Sequence, residues 1–441
     1  MPGKQLLMTF PVTATSHTLA DYVARGGYAT LRRVLTQLKP EDVTKEVNAS
    51  GLLGHGGAAF PAGRKWGVVH LNDNQPHFLC ANADEGEPGT FKDRWILENA
   101  PHLLLESMLI SSFALQVRNA FVYIRGEFDL PYRRLAAAVE EAYTAGWFGE
   151  HILGTEFSCD IVVYRGAGSY VCGEASGLLS SLEGKRGYPR NRPPRLTVQG
   201  LYKRPTVVNN VETLANITRI IAEGADAYRK VGTAKCPGTQ LVSISGHIAK
   251  PGVYEVEYGY PMQQFLFDDC GGMLPGQKLK CIVPGGISTK VLTAAEVEPL
   301  TFDHQSFAGA GSSLGSGGMI AIAEGTCMVR LLQVMLRFYH HESCGQCTPC
   351  REGMGWLHRI IDRIVAGEGQ PDDIDSLYRI SRLQDGMTIC GMGDAAGYAT
   401  VGIIAKFRDE FEHWIKSGRS LHEGRLEAAN HEWLREAVPH G

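Results

Sequence analysis

Apolar residues at helical spacing run through 19–38, interrupted at Arg25-Gly26-Gly27-Tyr28. A second helix opens at Pro40-Glu41-Asp42, where a fixed proline φ and two acids suit a first turn. The apolar run Phe78-Leu79-Cys80-Ala81 predicts a buried strand that ends in a polar turn. A helix near 95–117 follows, then strands at 120–124 and 161–164 enclosing a helix over 130–145; that alternation predicts an α/β core. From 239 to 323 the pattern changes to short strands (240–245, 252–256, 278–283) separated by Pro and Gly, closing with a Gly-Ser turn over 309–318 ahead of 319–323. After Cys327 helical spacing returns, as in Leu357, Ile360, Ile361 and Ile364, and again in Ile404, Phe407, Phe411 and Trp414.

A chain of 441 residues has room for two to four domains. Its net charge of −4, with both signs mixed along the chain, predicts no broad nucleic-acid footprint. No stretch of about eighteen uncharged apolar residues is present, so no membrane span is expected; the nearest candidate, 103–117, contains Glu106 and three serines and reads as a buried helix. The first residues lack the charged and apolar regions of a signal peptide, which points to a reducing cytoplasm.

Three of the eleven cysteines recur every third residue in Glu342-Ser343-Cys344-Gly345-Gln346-Cys347-Thr348-Pro349-Cys350, and a fourth stands in Thr388-Ile389-Cys390-Gly391. Thiolates so spaced wrap one side of a small metal centre while a distant cysteine closes the fourth corner, so a [4Fe-4S] cluster is expected. Structural zinc, which usually takes paired ligands, and disulfides, which need a secretory context, are the competing readings. The other seven cysteines lie apart, and most of them read as buried thiols.

Further candidates are glycine-rich. Gly54-His55-Gly56-Gly57-Ala58-Ala59-Phe60, followed by Lys65, can offer backbone amides and an ammonium to a phosphate, although its spacing fits neither a Walker A loop nor a GxGxxG fingerprint. Asn82-Ala83-Asp84-Glu85-Gly86-Glu87 sets three carboxylates within four residues, fit for sugar hydroxyls or a ring nitrogen, or equally for a solvated turn. Strand, glycine turn and helix recur over 161–184, through Gly166, Gly168, Tyr170 and Gly173-Glu174. A basic proline-rich loop with Arg190, Arg192 and Arg195 follows, and Asn209-Asn210 mark a strand-to-helix junction where amides are also common caps.

In this order the motifs resemble the NADH-binding flavoprotein subunit of respiratory complex I, a family shared with NAD-linked formate dehydrogenases and hydrogenases, over about 19–411. The chain reads as an N-terminal arm and helices (1–50) and a polar tail (419–441), and between them the resemblance implies an FMN- and NADH-binding α/β domain of non-standard type (51–238), a ubiquitin-like β-grasp domain of SLBB type (239–325) and a helical [4Fe-4S] domain (326–418). It implies FMN contacts at Gly54, Gly56, Gly57, Lys65, Asn82, Asp84, Gly173, Glu174, Asn209 and Asn210. It implies nicotinamide nucleotide contacts at Phe60, Glu85, Glu87, Tyr170, Arg192 and Arg195, and cluster ligation by Cys344, Cys347, Cys350 and Cys390. NADH would pass a hydride to FMN, and single electrons would leave through the cluster, with no side chain acting as general acid or base. The implied partners are a thioredoxin-like [2Fe-2S] subunit and a large multi-cluster iron-sulfur subunit, on the cytoplasmic side of the inner membrane.

Departures from the family pattern fall on the nucleotide side: His55 for an arginine, Ala59 for a glycine, Val68 for a phenylalanine, Ala175 for a second glutamate and Arg195 for a phenylalanine. A lost carboxylate and a gained arginine favour a 2′-phosphate, hence NADPH; alternatively Arg195 stacks on adenine and NADH stays preferred. Two rivals stand apart: a nucleotide-independent electron relay and a zinc-stabilised interaction module.

Overall fold

The computed structural model describes residues 2–69, 71 and 75–422. Its first sheet has four parallel strands, β1 (His77–Ala83), β2 (Val117–Ile124), β3 (Asp160–Arg165) and β4 (Thr206–Asn210), in the order β3-β2-β1-β4. Parallel strands need cover on both faces, and the sequence supplies it. Leu104, Leu105, Met108 and Leu109 of helix Pro101–Ala114 pack with Leu214, Ile217 and Ile220 of helix Val211–Glu223 on one side. Leu178, Leu179 and Leu182 of helix Ala175–Leu182 close over Cys80 and Tyr123 on the other.

The helix expected near 95–117 is instead two, Lys92–Asn99 and Pro101–Ala114, and β2 already starts at Val117. Pro101 is the cause: its ring disfavours helical backbone at the preceding residue, and Ala100 stands at φ −140°, ψ 45°. The interruption at 25–28 separates helices Leu19–Ala24 and Ala29–Gln37, with Tyr28 left-handed at φ 63°. Glu106 explains the charge inside an apolar helix: its buried carboxylate accepts from the Tyr22 hydroxyl and from the backbone N–H of Tyr28 and Leu31, both at 2.9 Å.

The second sheet has five strands, β5 (Thr239–Gly246), β6 (Gly252–Glu257), β7 (Leu279–Val283), β8 (Leu292–Thr293) and β9 (Gly318–Ala323), in the order β6-β5-β9-β7-β8. Only the β5–β9 pair is parallel. The chain then ends in helices Met328–Glu342, Thr348–Val365, Asp373–Gln384 and Met392–Ser417, whose core includes Leu332, Leu336, Leu357, Ile361, Leu377, Ile403 and Phe411. The whole is a mixed α/β architecture with a parallel sheet and a helical C-terminal part. The polar tail expected over 419–441 is described only to His422.

Candidate functional site

The four cysteines of the sequence pattern come together where two helix starts meet. Cys344 follows the end of helix Met328–Glu342, Cys347 is the N-cap of helix Thr348–Val365, and Cys350 lies in that helix's first turn, which Pro349 initiates. Cys390 precedes helix Met392–Ser417. Burial pushes the Cys350 and Cys390 thiols up to about 11, and Cys344 and Cys347 act on both. Among the described residues no group of three Cys, His, Asp or Glu converges tightly enough for a single metal ion. An all-thiol set of four that act on one another fits the ligand set of an iron-sulfur cluster. The loop bearing Cys390 is held in place: Thr388 Oγ1 donates to the Cys390 carbonyl at 2.6 Å, Asp394 accepts from Gly386 N at 3.0 Å, and Tyr398 Oη donates to Asp385 at 2.9 Å.

A cavity of about 650 Å³ opens beside that loop, at the C-terminal ends of β1 and β4, where open parallel sheets commonly bind ligands. Cys390, Gly391 and Asp394 stand in its wall. So do Gly56, Gly57, Asn82, Asp84, Gly173, Glu174 and Asn210 of the residues expected at a flavin, and Glu85, Glu87 and Tyr170 of those expected at a nucleotide. The loops after β7 and before β9 complete it with Ser288 and Ser316.

Each of these side chains has a local reason for its place. Asn82 Nδ2 donates to the Gly173 carbonyl at 2.8 Å and so ties the end of β1 to the second glycine turn. Asn210 caps helix Val211–Glu223, accepting from Glu212 N at 3.0 Å, and donates to Asp93 at 2.5 Å. Glu174 caps helix Ala175–Leu182, accepting from Ser176 N at 2.8 Å and Gly177 N at 2.9 Å, and pairs with Arg192 at 2.7 Å. Glu85 accepts from the N–H groups of Lys92, Asp93 and Arg94 at 2.8, 2.9 and 3.1 Å, and burial followed by Asp93 raises its pKa. Asp84 is pushed up to about 7 by burial against the opposing pull of Arg125, and its Oδ2 has no partner.

Six of the expected residues lie behind or outside this wall. Lys65 Nζ donates to the Val208 carbonyl at 2.9 Å, and burial together with Arg192 lowers it to about 8. Asn209 Oδ1 accepts from Trp66 Nε1 at 3.2 Å. Gly54 packs against the Phe60 backbone, where a Cβ would meet the carbonyl oxygen at 3.0 Å, and the Phe60 ring is half exposed. Arg192 and Arg195 both lie on the exposed surface of the proline-rich loop.

The burial of two side chains escaped the sequence reading. Lys92 is fully buried against Asp93 at 2.8 Å and Glu212 at 2.6 Å; burial works against its ammonium, but Asp93, Glu212 and Glu85 outweigh it and hold the pKa above the usual lysine value. His55 is 1% exposed in the cavity wall, its Nε2 3.9 Å from Glu212, and burial, then Lys92, lowers it to about 3, so it is neutral. A lysine inside the stretch that opens a helix was the only local sign of the first.

The residues present suit a flavin. Glycines line the wall where a Cβ would intrude, 3.2 Å from the Asp84 carbonyl oxygen at Gly173 and 3.3 Å from Asn210 Cβ at Gly56. Asp84, in the same wall, has a buried Oδ2 without a hydrogen-bond partner.

Residues 47–219 match the family model described as the Nuo51 FMN-binding domain, and 330–414 match that of the NADH-ubiquinone oxidoreductase-F iron-sulfur binding region. An NADH-quinone oxidoreductase subunit of Rhizobium meliloti is 44% identical over 91% of this chain and 96% of its own length. The mitochondrial NADH dehydrogenase (ubiquinone) flavoprotein 1 of Dictyostelium discoideum is 43% identical over 90% of this chain and 84% of its own. Among solved structures, a chain of an NAD+-reducing [NiFe]-hydrogenase in the air-oxidized state superposes with a TM-score of 0.81 at 32% identity, over 94% of this chain and 67% of that one.

Proposed function

Since the chain belongs to the family of FMN- and iron-sulfur-binding subunits of NADH-quinone oxidoreductase, we propose that it is an electron-input subunit that oxidises NADH and delivers electrons through a [4Fe-4S] cluster to partner subunits. When bound, FMN supplies the hydride acceptor and the change from an electron pair to single electrons. The observation that carries the reading is a shared wall: Cys390 borders the same cavity as the glycine turns and the Asp84–Glu87 carboxylates. On this reading the flavin site and the cluster share one wall.

The chain's own residues divide the work. Gly54, Gly56, Gly57 and Gly173 leave room for a cofactor to approach the backbone. Asn82, Asp84, Glu174 and Asn210 hold it by charge and hydrogen bonds from the cavity wall, and Lys65 and Asn209 are assigned to support that wall from behind, through Val208 and Trp66. Glu85, Glu87 and Tyr170 are assigned to the nucleotide from the cavity wall, and Phe60 of the first glycine-rich loop with Arg192 and Arg195 of the basic loop from outside it. Cys344, Cys347, Cys350 and Cys390 hold the cluster. The β5–β9 sheet is read as the β-grasp domain within 239–325, supported by its mixed five-strand order. A thioredoxin-like [2Fe-2S] subunit and a multi-cluster iron-sulfur subunit are the proposed neighbours, at the cytoplasmic face of a membrane. Among the described residues no helix is long and apolar enough to cross one.

Anaerobic stopped-flow mixing of the flavin-loaded protein with NADH tests the function. Rapid bleaching of the visible flavin band is expected. Absence of bleaching by NADH, while dithionite reduces flavin and cluster, would overturn it.

A further inference from the structure

Glu87 differs from the other carboxylates of the cavity in being held by the second sheet's domain. Its carboxylate accepts from Tyr170 Oη at 2.5 Å, Ser288 Oγ at 2.6 Å and Ser288 N at 2.9 Å. Ser288 stands between β7 and β8, and two residues before it Gly286, at φ +83°, passes so close that a Cβ would overlap the Glu87 side chain. Tyr170 is fixed at both ends, by its hydroxyl on Glu87 and by its backbone N–H, which donates to Glu342 at 3.0 Å. Glu87, Tyr170 and Ser288 all border the cavity.

Resting on the nucleotide reading above, we propose that Ser288 is a positioning residue for the nicotinamide nucleotide: it orients Glu87, and through it Tyr170, so that the β5–β9 domain completes the nucleotide site. The geometry favours this over simple domain packing, because Ser288 puts both its donors on a single carboxylate that also orients an aromatic ring in the cavity wall. Burial raises the Glu87 pKa, while the Ser288 hydroxyl, Tyr170 and the Ser288 amide pull it down. The titratable groups facing it are the phenols of Tyr170 and Tyr339, both held well above their usual value by burial and by Glu87 itself, so neither ionises in the working range. Removing the Ser288 hydroxyl therefore leaves Glu87 easier to protonate.

The test is equilibrium binding of NAD+ to the flavin-loaded, full-length protein by titration calorimetry across pH, a readout independent of turnover. For Ser288→Ala the acid limb of the affinity profile should move up by about one pH unit, the loss of one hydrogen bond to a charged group. Ser288→Cys, of similar size but a weaker donor, should shift it in the same direction by less, and Ser288→Thr should return it towards the wild-type position. Flavin content and a dithionite-reducible cluster certify each fold. An S288A profile superimposed on wild type, or an S288T profile displaced as far as S288A, overturns the role of Ser288. A wild-type protein that binds no nucleotide overturns the underlying reading as well, and that arm alone separates the two failures.

Discussion

Asp84 carries its position in its protonation. Burial puts its pKa at about 7, above the ordinary carboxylate value, so its contribution to stability is present below the unfolded pKa and lost as pH rises through about 7. Asp84→Asn should therefore raise the Tm of the flavin-free chain by a few degrees at alkaline pH and change it little in mild acid. Scanning fluorimetry across pH checks this, and equal pH slopes for the two proteins would refute it. Arg195 yields a second residue-scale prediction. It lies exposed and outside the cavity wall, and Arg192 beside it is engaged by Glu174, so neither offers a preformed 2′-phosphate site. NADH should remain preferred, and Arg195→Ala should alter the ratio of NADH to NADPH kcat/KM by no more than about fivefold, the limit for an exposed charge. A strong NADPH preference that collapses in R195A would reverse the assignment. The residues legible in sequence were those in short motifs: the four cysteines, the glycine turns and the acids after β1. Ser288 was not, because it meets Glu87 across 201 positions with no local pattern to announce it.

Elements were legible where period and punctuation agreed. The strands of the first sheet and the two helices flanking Cys344–Cys350 follow from apolar runs and from Pro349. The 95–117 segment misled because its apolar content runs through Ala100-Pro101, where backbone sterics rather than hydrophobicity set the boundary. The two-residue β8 is too short for any periodicity, and tertiary pairing with β7 alone defines it. The N-terminal arm is a case that propensity cannot reach. It is secured to β6 by Glu255, which accepts from Leu6 N at 2.6 Å, Leu7 N at 3.0 Å and Met8 N at 2.7 Å. Glu255→Ala should release it, bringing amide hydrogen exchange at Leu6–Met8 close to that of an unfolded chain while β5 keeps its protection. Unchanged protection at those amides would show that the apolar side chains of Leu6 and Leu7 suffice.

At the scale of the whole molecule, the question is where electrons leave. Tunnelling falls steeply with distance, so an acceptor must lie close to the cluster that Cys344, Cys347, Cys350 and Cys390 would hold. The 383–389 segment, which leads directly into Cys390, leaves Leu383 at 68%, Met387 at 65% and Ile389 at 36% exposure. Single exposed apolar residues are ordinary, but three within seven positions beside a redox ligand form a patch that favours a partner. Replacing Leu383 and Met387 together by aspartate should weaken association with the acceptor subunit by about tenfold or more, since two charges would be buried without partners. NADH oxidation by a soluble one-electron acceptor should persist, because the cavity and its carboxylates are untouched, while NADH-to-quinone electron flow should fall with assembly. Native electrophoresis paired with both assays distinguishes the outcomes. If the double variant co-assembles normally and supports quinone reduction, the exit lies elsewhere, and the exposed face of helix Thr348–Val365, with Trp356 49% exposed, becomes the surface to probe.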